Sequence, residues 1–213
     1  MKKLKKIAIT QRLTENNNYY EIRDALDNRW ALLFKSLDYI PILLPTSYDF
    51  KRYFEAIEIN GIILSGGNDL GYMTNDILSK KRDIFENAII KFAIQENIPI
   101  LGVCRGMQII AHYFKGEFEN ADGHVGTNHK IVVNTGSAFN EYLKKLDFVN
   151  SYHNYGIRKI SEGFIISARS EDGLIEAMEN NEYDIFCQMW HSERKNPFDE
   201  NELMIIKKLF NKL

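Results

Sequence analysis

The chain has 213 residues, of which 45% are apolar and 26% are charged, a composition typical of globular proteins rather than disordered ones. Its formal net charge of -2 gives no sign of a nucleic-acid partner or of an anionic membrane surface. No apolar run approaches the roughly 20 residues of a membrane span, and the run at 7–9 is too short for a signal peptide. We therefore expect one domain over residues 1–213 in the cytoplasm, without a nucleic-acid or membrane partner.

The first half of the chain alternates predicted strands with predicted helices. Three β-type runs occur at 6–10, 40–44 and 59–64, and helical spacing of apolar residues occurs over 20–37 and 79–96. A near-continuous apolar run at 98–103 is typical of a strand buried on both faces of a parallel sheet, and a helix is predicted over 107–114. This alternation predicts an α/β fold with a doubly wound, mostly parallel sheet.

The second half of the chain contains mainly predicted strands. They lie near 130–134, 146–150, 163–169, 173–178 and 184–188. A closing helix is predicted near 199–212. We expect these strands to form a small β extension that folds onto the parallel sheet.

The segment 100–108, ILGVCRGMQ, ends a predicted strand and begins a predicted helix. Gly102 and Gly106 flank Cys104 in the thiol form of the G-x-S-x-G nucleophile elbow. Such a turn is sharp, so a side chain at either flank would collide with the neighbouring backbone. The N-terminus of the following helix favours an anion, which suits a nucleophilic thiolate at Cys104.

The stretch GVCRGMQ resembles the nucleophile segment of class I glutamine amidotransferases, and the arginine after the cysteine resembles the branch of small γ-glutamyl hydrolases. The run QMWHSE at 188–193 is similar to the Q-x-H-P-E segment of the same family. The resemblance implies that Cys104 is the nucleophile, His191 the general base and Glu193 the acid that orients the histidine. Ser192 stands in place of the usual proline, which we expect to loosen the geometry of the His191–Glu193 pair.

The run SGGND at 65–69 follows the third predicted strand and resembles the S-G-G-x-D loop of the family. Amides at the end of such a strand can donate to a developing oxyanion. The resemblance implies three donors: the amides of Gly66, Gly67 and Arg105. Two further residues of this loop, Asn68 and Asp69, are candidate substrate contacts.

The remaining substrate contacts are also implied by resemblance. The run NSYH at 150–153 is similar to the S-x-H segment of the family and implies contacts by Ser151, Tyr152 and His153. Gln108, on the predicted helix that follows Cys104, is the fourth implied contact. Tyr155 replaces the glutamine of the family's S-x-H-x-Q pattern, so the leaving-group side of the pocket is expected to differ.

Two motifs leave alternatives open. The R-D-x-x-E pattern from Arg82 to Glu86 resembles a helix of the hydrolases, and it either anchors the substrate loop or forms a surface ion-pair helix. The D-G-x-x-E pattern that ends at Glu176 resembles a hairpin of the family, in which the glutamate would meet a cationic substrate group or Arg105.

Two histidines, His124 and His129, lie five residues apart in DGHVGTNHK, a loop-like stretch. The sequence shows no cysteine or carboxylate set that completes four ligands beside them. We therefore expect no metal site, and the chemistry implied by the other motifs requires no metal or organic cofactor.

The motifs together imply cysteine-dependent hydrolysis of the γ-glutamyl amide bond of a small molecule. The alternative is the glutaminase subunit of a two-component amidotransferase, which delivers ammonia to a synthetase partner in trans. A non-catalytic thiol sensor of the same fold would not need the paired histidine and acid.

The leaving group stays open between γ-glutamyl-γ-aminobutyrate and γ-glutamyl-CDP-amidate, a substrate of capsule phosphoramidate synthesis. Three cations are candidate contacts for the phosphates of the latter: Arg105, Lys130 and Arg158.

Overall fold

The structure, a computed structural model, describes residues 4–211. One half of its large sheet consists of five parallel strands: β1 (Lys5–Thr10), β4 (Tyr39–Leu44), β5 (Ile62–Leu64), β6 (Ile100–Val103) and β14 (Ile185–Gln188). Across the sheet these strands lie in the order β4, β1, β5, β6, β14. Every residue of β5, β6 and β14 is buried, because both faces of a parallel sheet are covered.

Antiparallel strands continue the sheet beyond β14 and form the predicted β extension. They are β7 (Glu117–Asn120), β9 (Ile131–Val133), β11 (Tyr155–Lys159), β12 (Ile165–Ser170) and β13 (Ile175–Asn180). Two antiparallel pairs lie outside this sheet: β2 (Arg12–Glu15) with β3 (Ile22–Ala25), and β8 (Val125–His129) with β10 (Val149–Tyr152). The predicted α/β class with a mostly parallel central sheet is confirmed.

Seven helices connect or cover the strands in the described part of the chain. They are α1 (Arg29–Leu37), α2 (Lys51–Ala56), α3 (Gly71–Thr74), α4 (Ile77–Gln95), α5 (Arg105–Tyr113), α6 (Asn140–Leu143) and α7 (Glu200–Phe210). α1 packs against β4 and α7, whereas α4 packs against α5. Within residues 4–211, no helix combines the length and the apolar character needed to cross a membrane.

The helix predicted over 20–37 is wrong in its first part. Residues Ile22–Ala25 form β3, which pairs with β2, and α1 begins only at Arg29. The side chain of Asp24 accepts a hydrogen bond of 3.1 Å from the amide of Thr46, which fixes β3 against the end of β4. β2 and Thr46, the two partners of β3, lie outside residues 20–37. The spacing of apolar residues within that window therefore could not reveal the strand.

Most other predicted elements lie within three residues of the observed ones. The predicted helix over 79–96 starts earlier, at Ile77, because the side chain of Asp76 caps it by accepting a 2.7 Å hydrogen bond from the amide of Ser79. The closing helix ends at Phe210, and its predicted end at 212 lies outside the described residues.

Candidate active site

Cys104 occupies a sharp turn between β6 and α5. Its backbone has φ 51° and ψ -106°, a conformation that residues other than glycine rarely adopt. A Cβ atom on Gly106 would overlap the carbonyl group of Leu64, so only glycine lets α5 lie this close to β5. The elbow predicted from the sequence is therefore present, and it holds the thiol at the carboxyl edge of the parallel strands.

His191 follows β14, the strand beside β6, and therefore lies next to the elbow. Its Nδ1 atom lies 2.6 Å from Oε1 of Glu193, and both side chains are only 2% exposed. Burial by itself would lower the pKa of His191, but the charge and hydrogen bond of Cys104, together with Glu193, raise that pKa to about 9. The arrangement therefore stabilises the imidazolium form of His191 beside Cys104.

The glycine loop after β5 reaches the same edge of the sheet. A Cβ atom on Gly66 would lie 2.6 Å from Cε1 of His191 and 3.6 Å from Cβ of Cys104. Gly67 has φ 85°, in the left-handed region. Arg105 is the first residue of α5, so its amide has no acceptor within the helix. The three amides predicted to hold an oxyanion thus belong to segments that surround Cys104.

Arg82 on α4 holds this glycine loop through hydrogen bonds to its backbone. Its guanidinium donates to the carbonyl of Ser65 at 2.6 Å, to that of Gly66 at 3.1 Å and also to that of Gly67. Nε of Arg82 donates to Oε1 of Glu86 at 3.0 Å, and neither side chain is exposed to solvent. The loop-anchoring interpretation of the R-D-x-x-E motif therefore agrees with the structure, and the surface ion-pair interpretation is wrong.

The side chain of Arg105 is 1% exposed and forms ion pairs with Asp83 and Glu86. Because the guanidinium is itself buried and is paired with two carboxylates, it is not available to a substrate phosphate. The sequence-based prediction of a phosphate contact by the Arg105 side chain is therefore wrong. Of the two alternatives for Glu176, the contact with Arg105 is not observed, because that carboxylate lies beside three histidines. The backbone amide of Arg105 keeps its place at the elbow.

Asn150, the first residue of the NSYH segment, holds the backbone of His191, a contact that the sequence did not predict. Its Nδ2 atom donates to the carbonyl of His191 at 2.9 Å, and its Oδ1 atom accepts from the amide of His191 at 2.8 Å. Nε2 of Gln188 also donates to Oγ of Ser192 at 2.7 Å. These bonds fix the segment where the family has proline, so the expected loosening of the His191–Glu193 pair is not observed.

Replacing Asn150 by alanine is expected to lower the free energy of unfolding by about 1–3 kcal/mol, because a buried amide and a buried carbonyl of His191 lose their partners. Urea unfolding monitored by circular dichroism measures the change. The matched control is Asn17→Ala, at an exposed asparagine, with an expected change below about 0.5 kcal/mol. Equal stabilities of the two variants would contradict this role of Asn150.

The residues predicted to bind the substrate divide into two groups. The ring of Tyr152 lies 5.8 Å from that of His191. Oγ of Ser151 donates to the carbonyl of His124 at 2.7 Å, and His153 packs against the ring of the same histidine. Nε2 of Gln108 donates to the carbonyl of Tyr155 at 2.8 Å. Of this set, Tyr152 is thus the residue whose side chain lies beside His191, and the roles of the others as substrate contacts stay predictions.

Asn68 and Asp69 make contacts within the protein. Oδ1 of Asn68 accepts from the amide of Leu13 at 3.2 Å, and its Nδ2 donates to the carbonyl of Leu13 at 3.2 Å. This pair of bonds ties the glycine loop to β2. The charge of Asp69 acts on the buried guanidinium of Arg105. Their roles as substrate contacts stay predictions.

A shallow cleft opens beside the His191–Glu193 pair and is lined by Gly67, His191, Trp30, Arg12 and Arg194. The guanidinium carbon of Arg194 lies 4.4 Å from the ring centre of Tyr152. Arg12 lies against Gly67, since a Cβ atom on that glycine would approach the arginine Cδ at 2.9 Å. Sequence reasoning missed both arginines. The hairpin that carries Arg12 was not predicted, and the contact of Arg194 with Tyr152 joins segments about 40 residues apart.

A separate cluster contains His124, His129, His153 and Glu176, whose possible ligand atoms all lie within 4.8 Å of one another. The sequence-based premise that no carboxylate completes a set around His124 and His129 is therefore wrong. The fold brings in His153 and Glu176 from β-strand segments far along the chain, which spacing could not show.

Comparison with known proteins places these features in context. A model of the family described as Peptidase C26 matches residues 6–193. The γ-glutamyl-CDP-amidate hydrolase of Campylobacter jejuni is 38% identical over 96% of this chain and 97% of its own. A more distant relative is the glutamine-hydrolysing component of the GMP synthase of Methanocaldococcus jannaschii, 27% identical over 81% of this chain and 86% of its own. A crystal structure of the corresponding GMP synthase component assigned in Thermoplasma acidophilum shares the fold, with a TM-score of 0.73, 19% identity and coverage of 99% of this chain and 94% of that one.

Proposed function

The chain belongs to the Peptidase C26 family, and we propose that it hydrolyses a γ-glutamyl amide bond with Cys104 as nucleophile, His191 as base and Glu193 as the residue that orients the base. One observation carries the proposal: the thiol at the strained elbow faces an imidazole whose Nδ1 lies 2.6 Å from a buried carboxylate. Acyl transfer from an amide requires a nucleophile, a base that exchanges its proton and an acid that orients the base, and these three residues supply them under the proposal.

In the proposed mechanism the Cys104 thiolate attacks the γ-carbonyl carbon of the substrate. The amides of Gly66, Gly67 and Arg105 donate to the oxygen that gains negative charge. The imidazolium of His191 gives its proton to the leaving nitrogen, and the C–N bond breaks to leave a glutamyl thioester. Neutral His191 then removes a proton from water, which attacks the thioester and releases glutamate and the thiolate.

The pH dependence should reflect the protonation of His191. Because the leaving nitrogen needs a proton from the imidazolium, kcat/KM is expected to fall as the pH rises through about 9, where His191 loses that proton. Glu193→Gln removes a charge that raises the pKa of His191, so the alkaline limb should move to lower pH in that variant. A pH–rate profile of both proteins measures this, and identical limbs in both would contradict the assignment.

The substrate class that we propose is a γ-glutamyl nucleotide amidate, with γ-glutamyl-CDP-amidate as the specific candidate. The relative from Campylobacter jejuni bears that substrate in its name and is similar along almost its whole length. Two cations at the cleft, Arg12 and Arg194, have the charge that a diphosphate requires. Arg12 has no carboxylate partner among residues 4–211, so its charge is free to meet a phosphate.

Replacing Arg12 by alanine is expected to raise KM for γ-glutamyl-CDP-amidate by about 10-fold or more, since it removes a charge-assisted contact. KM for glutamine, which has no phosphate, should stay within about twofold. The control is Arg158→Ala, at a cation that lies 3.6 Å from Glu119 and is not in the cleft. Steady-state kinetics that give equal KM changes for both variants would exclude this position for the phosphates.

The experiment that tests the function is glutamate release by the purified protein alone. The panel is glutamine, γ-glutamyl-γ-aminobutyrate and γ-glutamyl-CDP-amidate. We expect the nucleotide conjugate to be cleaved with the highest kcat/KM. Cleavage of γ-glutamyl-γ-aminobutyrate alone would keep the hydrolase and reject the nucleotide. Release from none of the three would reject a free-standing hydrolase.

A second candidate function is the glutaminase subunit of a two-component amidotransferase. The observation that favours it is the similarity to the GMP synthase component of Methanocaldococcus jannaschii. Such a protein should cleave glutamine slowly by itself and faster once a synthetase partner is present. Fast release from a conjugate without any partner would therefore exclude it.

A further inference from the structure

Four side chains that can bind metal meet at a point separate from the triad: His124, His129, His153 and Glu176. Oε1 of Glu176 lies 3.7 Å from Nδ1 of His124, 3.6 Å from Nε2 of His129 and 3.7 Å from Nε2 of His153. Ligands about 2.0–2.1 Å from a tetrahedral zinc ion are about 3.4 Å apart. The three nitrogens thus surround the carboxylate oxygen at distances close to those of a tetrahedral metal site.

Most of the atoms that face the centre of this cluster lack hydrogen-bond partners within the described residues. Among the described residues, Nε2 of His129, Nε2 of His153 and both carboxylate oxygens of Glu176 are buried without a hydrogen bond. Glu176 is 0% exposed and His153 is 3% exposed, so these side chains are removed from bulk solvent. Buried polar atoms without partners are costly, and one cation at the centre would satisfy several of them at once.

The outer nitrogens of two of the rings are held in the way that metal-binding histidines require. Nδ1 of His153 lies 3.1 Å from the carbonyl of Tyr155, and Nδ1 of His129 lies 3.2 Å from the carbonyl of Lys130. A carbonyl can only accept, so these Nδ1 atoms carry the proton and each Nε2 presents a lone pair to the centre.

His124 is oriented in the opposite sense. Its Nε2 lies 3.0 Å from Oδ2 of Asp172, which leaves Nδ1 directed at the cluster, 3.7 Å from Oε1 of Glu176 and 3.4 Å from Oγ of Ser151. A carboxylate behind a histidine is a frequent partner of a metal-binding imidazole, because it fixes the tautomer and raises the basicity of the ligand atom. The three rings therefore all direct one nitrogen inward.

A network of protonated histidines around Glu176 is the alternative. Such a network would need direct N–H···O bonds of about 2.7–3.2 Å to the carboxylate. The observed separations from Oε1 are 3.6–3.7 Å for all three rings. Separations of this size are too long for direct hydrogen bonds to the carboxylate, and they leave room for a metal ion between the ligand atoms. The hydrogen bonds of the outer nitrogens also favour a metal ion over a network of protonated histidines.

We propose that His124, His129, His153 and Glu176 bind one divalent transition-metal ion, with zinc as the expected ion. Imidazole nitrogens with a carboxylate oxygen suit zinc, and four protein ligands leave no open position. The site is therefore structural, with no part in the thioester chemistry.

The ion would fasten the two-stranded β8–β10 sheet to the large sheet. His129 ends β8, His153 follows β10 and Glu176 lies in β13. The carbonyl of Glu176 accepts from the amide of Met189 at 2.8 Å, two residues before His191. Tyr152, whose ring lies beside His191, immediately precedes one ligand. Metal binding would thus rigidify the segments that hold Tyr152 and His191 in the active site.

The test uses the full-length protein without a histidine tag, prepared with zinc and then desalted. Elemental analysis should find about one zinc per chain, and Co²⁺ in its place should give the visible absorption of a tetrahedral site. Added to the chelator-treated protein, Zn²⁺ at about 100 times its dissociation constant should raise Tm by roughly 5–10 °C.

Two variants localise the site: Glu176→Gln and His153→Ala should each bind less than about one tenth of the zinc of the parent protein. His129→Ala is a third ligand variant. It is expected to disturb folding least, because the ring of His129 is partly exposed, at 18%. The matched control is His112→Ala, at a ring stacked on Tyr72 outside the cluster, which should retain the zinc. Zinc-free parent protein with no Tm response to Zn²⁺ would overturn the proposal, and so would equal zinc in the parent and all three ligand variants.

Discussion

Replacing Cys104 by alanine is expected to lower kcat/KM for glutamate release by about 10⁴-fold or more, with little change in Tm. The reason is that no thioester can form, while the elbow, the glycine loop and the His191–Glu193 pair stay in place. Residual activity would come from the oxyanion donors and from substrate binding alone. Steady-state kinetics and thermal unfolding of the same preparation measure both quantities.

The other cysteine provides the control. Cys187 lies in β14 with 0% exposure, and burial raises the pKa of its thiol, so it stays a neutral core residue. Cys187→Ala should therefore keep kcat/KM within about threefold and lose some stability through the cavity it leaves. A Cys104→Ala protein that retains a tenth or more of the activity would rule out this thiol as the nucleophile.

Replacing Arg82 by methionine is expected to lower the free energy of unfolding by about 3–5 kcal/mol, the cost of breaking a buried, hydrogen-bonded ion pair. The substitution leaves three carbonyls of the glycine loop without the Arg82 donor and removes one of the two hydrogen bonds to Oε1 of Glu86. Because the loop amides of Gly66 and Gly67 then lose their alignment, kcat should fall more than KM rises. Urea unfolding and steady-state kinetics measure the two effects.

The Arg82→Lys variant tests whether the positive charge of residue 82 or the planar shape of its guanidinium aligns the glycine loop. Arg82→Lys retains the cation but cannot bridge several carbonyls with one planar group, so its kcat should lie between those of the parent and of Arg82→Met. Arg52→Met, at an exposed arginine of α2, is the matched control and should change the unfolding free energy by less than about 0.5 kcal/mol. If the two methionine variants were equally stable, Arg82 would not anchor the loop.

The sequence predicts well those parts of the site that are built from short segments. The elbow around Cys104 depends on a strand, two glycines and a helix that are consecutive in the chain. His191 and Glu193 are two residues apart, so their pairing follows from one local turn. The parallel sheet follows from apolar runs that alternate with helical spacing.

The parts that could not be predicted depend on contacts between distant segments. The β2–β3 hairpin carries Arg12 to the cleft, but the residues of β3 show helical spacing when read alone. The buried position of Arg82 follows from packing that the motif does not specify, since an exposed helix could carry the same residues. The histidine cluster needs Glu176 on β13, about 50 residues from two of its partners, to face them.

The measurement that tests the central claim most directly is the trapping of a glutamyl thioester on Cys104. The protein is mixed with a γ-glutamyl substrate, quenched with acid within the first turnover and digested, and its cysteine peptides are analysed by mass spectrometry. The account predicts a glutamyl acyl group on the peptide that contains Cys104, none on the peptide that contains Cys187, and loss of the adduct on treatment with hydroxylamine. Glutamate release at full rate with no acyl group on Cys104 at any time point would contradict it.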